Sequence, residues 1–91
     1  PPTVRKIELE ITLEDGGFVE PELKLQVYDL IKGLLGAEVL ALPYPLIFNI
    51  LDNRIVEVGD KRYRLNVEAV ILGETLVYYL KASKTTDEEL T

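Results

Sequence analysis

This sequence predicts an α+β domain, one helix laid on a curved antiparallel sheet in the order β-α-β-β-β-β. Three observations carry that prediction. Residues 4–14 alternate apolar and polar side chains, a stripe at helical spacing follows the proline at 21, and residues 54–83 form three alternating runs separated by two glycine-first turns. Period two sends successive side chains to opposite faces of a strand, whereas offsets of three and four line one face of a helix.

In the run from Val4 to Glu14, Ile7, Leu9, Ile11 and Leu13 point one way, and Lys6, Glu8, Glu10, Thr12 and Glu14 the other. This is a half-buried strand whose glutamates serve solubility and edge protection. Asp15-Gly16-Gly17 ends it. Glu20-Pro21-Glu22 then supplies a proline at the first helical position and two carboxylates where the helix dipole favours negative charge. The helix is expected from about Pro21 to Leu35, with Gly36 as its stop. Its core stripe is Leu23, Val27, Leu30 and Leu34, flanked by Ile31. Leu25 falls nearly opposite and is exposed, and Tyr28 and Leu35 sit on a shoulder. Gly33 marks either fraying of the helix end or a close approach to a strand, because glycine costs about 1 kcal/mol relative to alanine inside a helix.

Residues 37–51 are the least regular part. Pro43-Tyr44-Pro45 cannot sit inside a central strand, so the stretch predicts an edge strand broken by a bulge or bend, or two strands joined by a short loop. A three-residue turn over Asp52, Asn53 and Arg54, with Asn53 left-handed, pairs Phe48 with Val58 and Ile50 with Val56 and leaves Asn49 outside opposite Glu57. A two-residue turn would instead bury Asn49. Gly59-Asp60 and Gly73-Glu74 each suit a two-residue type II′ hairpin. Counting outward pairs Val56 with Tyr63, and Ile71, Ala69, Val67 and Leu65 with Leu76, Tyr78, Leu80 and Ala82. The opposite face carries Glu57 with Arg62, Glu68 with Tyr79, Asn66 with Lys81, and Val70 with Val77. The last residues offer a capping box from Thr86 to Glu89, so 84–91 is expected to be a short turn or frayed tail on a single domain over 1–91.

Ninety-one residues with 47% hydrophobic content suffice for one modest core. A formal net charge of -6 argues against nucleic acid and anionic membranes as partners, because the phosphate-neutralising contribution is missing. No run approaches the ~20 apolar residues of a membrane span. Cys, His, Met and Trp are all absent. The expectation drawn from this composition is a de novo designed, monomeric scaffold, because computed cores favour Leu, Ile, Val and Ala and avoid free cysteine.

The element order resembles that of the cystatin and monellin fold, a bent sheet around one long helix. Val58-Gly59-Asp60-Lys61-Arg62-Tyr63, followed by an alternating strand, and the ending Lys84-Thr85-Thr86-Asp87-Glu88-Glu89-Leu90-Thr91 are similar to parts of the stefin branch of cystatins. That resemblance implies a protease inhibitor. The family's Gln-x-Val-x-Gly loop is not here, the matching connection being Leu51-Asp52-Asn53-Arg54, and Gly73-Glu74 stands where a Pro-Trp loop would lie.

Without His or Cys, the usual triads, thiol nucleophiles and imidazole metal sites have no side chains to build them, and no catalytic, cofactor or metal residue is assigned. The acidic residues at turns, such as Asp15 and Asp52, are read as bonding their own backbone. Two binding surfaces stand against a plain scaffold. Leu40, Leu42, Tyr44, Leu46 and Phe48 concentrate apolar mass beside a proline-stiffened bend, as an anchor for a protein partner would. The plainer reading is that Leu46, Phe48 and Ile50 are core and Tyr44 covers an edge. Tyr28, Phe48, Tyr63 and Tyr78 are candidates to line a pocket between helix and sheet for a small apolar ligand. An exposed edge at Val4 to Glu14, or at Leu46 to Leu51, could also form a dimer by strand addition.

Overall fold

In the computed structural model, which describes residues 1–86, two α-helices pack on a curved, mixed four-stranded sheet that forms a half-barrel. The α+β class is as expected. In chain order the elements are β1 (Lys6–Leu13), α1 (Pro21–Ile31), α2 (Tyr44–Leu51), β2 (Ile55–Val58), β3 (Lys61–Ile71) and β4 (Thr75–Thr85), with 3-10 turns at Lys32–Leu34 and Val39–Ala41 between the helices. The sheet order is β1-β4-β3-β2.

The expected broken edge strand at 37–51 is helical instead. Pro45 stands in the first turn of α2, where a missing N–H leaves no helical bond unmade, and the Pro43 carbonyl accepts from the amides of both Leu46 and Ile47 at 3.1 Å. The short spacing that read as strand alternation therefore resolves into a helix whose Ile47 and Leu51, four apart, are completely buried. The expected pairs Phe48 with Val58, Ile50 with Val56 and Asn49 with Glu57 do not form. The turn itself does: Asn53 has φ 63°, and its amide donates to the Leu65 carbonyl at 2.7 Å. Asp52 accepts the amide of Val67 at 2.9 Å, which fastens the end of α2 to β3.

Asparagine tolerates the left-handed region and a β-branched residue does not. Asn53→Gly should therefore change stability by less than about 0.5 kcal/mol, and Asn53→Val should lower it by about 1–2 kcal/mol in urea unfolding.

The expected antiparallel sheet is instead mixed. β2, β3 and β4 are joined by hairpins and pair antiparallel, but β1 pairs parallel with β4, Ile7 opposite Leu76 through Leu13 opposite Ala82. The helical crossover between β1 and β2 brings the chain back to the end of the sheet from which it started. Two hairpins then leave β4 running the same way as β1, and a parallel pair of this kind needs such a crossover.

The second hairpin carries a β-bulge that the expected register lacks. The first hairpin has the expected register, with Gly59 at φ 62° and Val56 opposite Tyr63. In the second, Leu65 and Val67 oppose Ala82 and Leu80 as expected, but the register shifts between Val67 and Ala69. Beyond the shift Val70 opposes Tyr78 and Ile71 opposes Val77, so the pairs Ile71 with Leu76, Ala69 with Tyr78, Val70 with Val77 and Glu68 with Tyr79 are not made. One extra residue at Glu68 turns Val70 into the core and leaves Ile71 outside. Positive φ falls at Gly16, Gly36, Gly59 and Asn53, so the left-handed glycine that a type II′ turn requires is not found at Gly73.

The core lies on the concave face of the sheet. Leu23, Val27 and Ile31 of α1, at successive offsets of four, and Ile47 and Leu51 of α2 pack there against Leu65, Leu76, Tyr78, Leu80 and their neighbours. Each such side chain contributes about 1.5–3 kcal/mol relative to leaving it exposed. The buried stripe leans towards Ile31, and the expected core residue Leu30 is 38% exposed, because α1 presents the flank of Leu23, Val27 and Ile31 to the sheet and Leu30 falls at its margin; the helix gives way to a 3-10 turn after Ile31. A side chain at Gly33 would meet open space, so this glycine allows no close approach. α1 packs against both β1 and β2, the two edges of the sheet, which is how the half-barrel wraps it. The expected capping box from Thr86 to Glu89 extends beyond the described residues.

Candidate functional site

β1 is an edge strand of the sheet, and no other strand among the described residues covers its outer side. The Lys6 amide donates to the Glu74 carbonyl at 3.1 Å and the Glu14 amide to the Ala82 carbonyl at 2.9 Å. Residues of a parallel strand alternate in the direction of their hydrogen-bonding groups, so the even positions bond inward to β4. The N–H and C=O groups of Ile7, Leu9 and Ile11 then face away from the sheet, and no other strand among the described residues takes them.

Beside this edge runs a groove of about 600 Å³ between β1 and α1. Ile7, Glu8, Leu9 and Glu10 form one wall, and Pro21, Lys24, Leu25 and Tyr28 the other. The helical residues fall at offsets of three, four and seven from Pro21, which is one flank of a helix. α1 thus carries two stripes: Leu23, Val27 and Ile31 enter the core, and Pro21, Leu25 and Tyr28 line the groove. Leu25 is 55% exposed there. The expected single outward leucine is instead part of a groove wall that it shares with Pro21 and Tyr28.

The two surfaces expected from sequence come out differently. Leu40 is 85% exposed and Leu46 58%, Tyr44 lies on the outer side of α2, and Leu42 and Phe48 are half-buried against the core. The Tyr44 and Phe48 rings pack with centroids 6.2 Å apart. The four aromatic residues proposed for one pocket are not brought together. Tyr28 lines the β1 groove, Tyr63 is buried at a separate recess of about 230 Å³, Phe48 sits on α2, and Tyr78 is completely buried in the core. The Tyr78 hydroxyl donates to the Ile47 carbonyl at 2.7 Å, which ties α2 to the sheet, and burial pushes its pKa up to about 12. It is structural core and not a pocket lining. Lys61 donates to Glu20 at 2.6 Å, fixing the β2–β3 turn to the start of α1, and that carboxylate raises the pKa of the lysine.

No helix among the described residues is long and apolar enough to cross a membrane. No curated protein and no solved structure matches the chain. The model of a natural family, Sporulation membrane protein YtrI, C-terminal domain, matches residues 5–83. This overturns the expectation of a designed protein, whether a scaffold or an engineered binder. A core filled with Leu, Ile, Val and Tyr satisfies packing whatever its origin, so the missing Cys, His, Met and Trp could not decide the matter. The cystatin-like inhibitor reading receives no support from the match either. Since the matched stretch runs from the residue before β1 almost to the end of β4, this chain belongs to the family of the C-terminal domain of the sporulation membrane protein YtrI.

Proposed function

We propose that this domain is a non-catalytic interaction module of a sporulation membrane protein, and that it takes up an extended segment of a partner protein along β1. The observation that carries this reading is the open edge, where the outward N–H and C=O groups of Ile7, Leu9 and Ile11 run beside the groove under Leu25 and Tyr28. An added strand gains main-chain hydrogen bonds from such an edge, and its alternate side chains enter the adjoining apolar space. β2, the other edge, is only four residues long. Long open edges invite pairing, and folded proteins ordinarily cover or shorten them.

Amide hydrogen exchange tests the reading. A synthetic peptide alternating valine and threonine should slow exchange at Ile7, Leu9 and Ile11, and the same peptide N-methylated at alternate amides should not. Equal behaviour of the two peptides, or no protection from either, overturns strand addition.

A further inference from the structure

We infer, resting on the proposed function, that the segment received by β1 alternates apolar with basic residues, and that it is not a second copy of this chain. Strand addition sets the partner's side chains directly beside those of β1. On the groove side these are Ile7 and Leu9, almost completely buried, with Leu25 and Tyr28 across the gap beside one cation, Lys24; this apolar lining calls for apolar side chains, and Lys24 opposes basic ones on this side. On the convex face the central residues of β1 are Glu8 and Glu10. Their neighbours on β4 are Val77 and Tyr79, which leave the carboxylates uncompensated from that side. Glu8 has Lys6 at 3.0 Å, and no salt bridge among the described residues reaches Glu10. Glu14 follows at the end of the strand, within a chain of net charge -6. Basic residues at the two alternate positions of the incoming strand that lie beside Glu8 and Glu10 would meet this row of carboxylates, with Lys6 and Thr12 flanking them on the same face.

The same row disfavours self-pairing. A two-fold dimer through β1 must be antiparallel, with outward-bonding residues opposite one another. The registers that pair most of the strand then place Glu8 opposite Glu10 of the second copy, or Glu10 opposite its own counterpart. Like charges directly opposed on neighbouring strands are destabilising.

The test titrates the 91-residue chain with peptides about as long as β1, in which valine alternates with lysine, threonine or glutamate, and follows the amide resonances of Ile7, Leu9 and Ile11. The lysine peptide should bind about fivefold tighter than the threonine peptide, with the glutamate peptide weakest. Glu8→Lys combined with Glu10→Lys should invert that order. Lysine and threonine peptides of equal affinity would overturn the charge inference and leave strand addition standing. Failure of all three peptides would overturn both. Binding of an N-methylated lysine peptide as tight as that of its parent would show only diffuse attraction and overturn the inference. So would light scattering that detects a dimer whose β1 amides are protected.

Discussion

Truncating Leu51 to alanine should cost about 3 kcal/mol, whereas Leu46→Ala should stay within about 0.5 kcal/mol of the wild type. The contrast follows from the helical assignment of 44–51. Leu51 is completely buried, and removing its side chain leaves a cavity between α2 and β3, while Leu46 is 58% exposed on the outer side of the helix. A strand over the same residues would reverse the result, because Leu46, Phe48 and Ile50 would face the core and Leu51 would point out. For a chain of this size the Leu51→Ala loss corresponds to a midpoint lower by about 15 °C, measurable by circular dichroism on both variants.

Raising the pH should remove about 2–3 kcal/mol of stability through Tyr78 alone, between about pH 10 and pH 12. Its hydroxyl is held against the Ile47 carbonyl in the core, and burial raises its pKa to about 12. An unfolded tyrosine ionises near pH 10. Below that pH both states keep the proton and the contribution is complete. Above it the unfolded state loses its proton while the folded state retains it, so stability falls until the folded pKa is reached. Tyr78→Phe should cost about 1 kcal/mol at neutral pH through the lost hydrogen bond. The variant should then lose less than the wild type as the pH rises and overtake it at about pH 11, where the wild-type loss passes the cost of the missing hydrogen bond. Urea unfolding of both proteins at neutral and alkaline pH measures the difference. Parallel loss in the two proteins would show that Tyr78 does not carry the effect.

Half of the candidate site was legible in the sequence. Alternation over 4–14 assigned Ile7, Leu9, Ile11 and Leu13 to the core and the glutamates to the outer face, and it named the strand as an edge open to addition. The groove was not legible, because it depends on where α1 crosses that edge. Pro21, Leu25 and Tyr28 share a flank at ordinary helical spacing, and nothing local says that this flank lies over β1. The pocket expected from Tyr28, Phe48, Tyr63 and Tyr78 failed for a related reason. Aromatic content predicts burial but not whether the rings surround a space, and here Tyr63 and Tyr78 fill the core themselves.

What the sequence by itself determined is the content of each short stretch: the faces of β1, the start of α1 at Pro21, the tight turn at Gly59-Asp60, and the left-handed Asn53. Each rests on the conformational preferences of a few neighbouring residues. Tertiary structure decided the rest. Pro43-Tyr44-Pro45 is compatible with a broken edge or a helix start, and burial of Ile47 and Leu51 beneath the sheet selects the helix. Local alternation does not place the bulge at Glu68, which brings Val70 onto the core face opposite Tyr78. The parallel pairing of β1 with β4 arises only once both helices occupy one face. In each case local preferences differ by little, and the apolar area removed from water by the whole fold is the larger quantity.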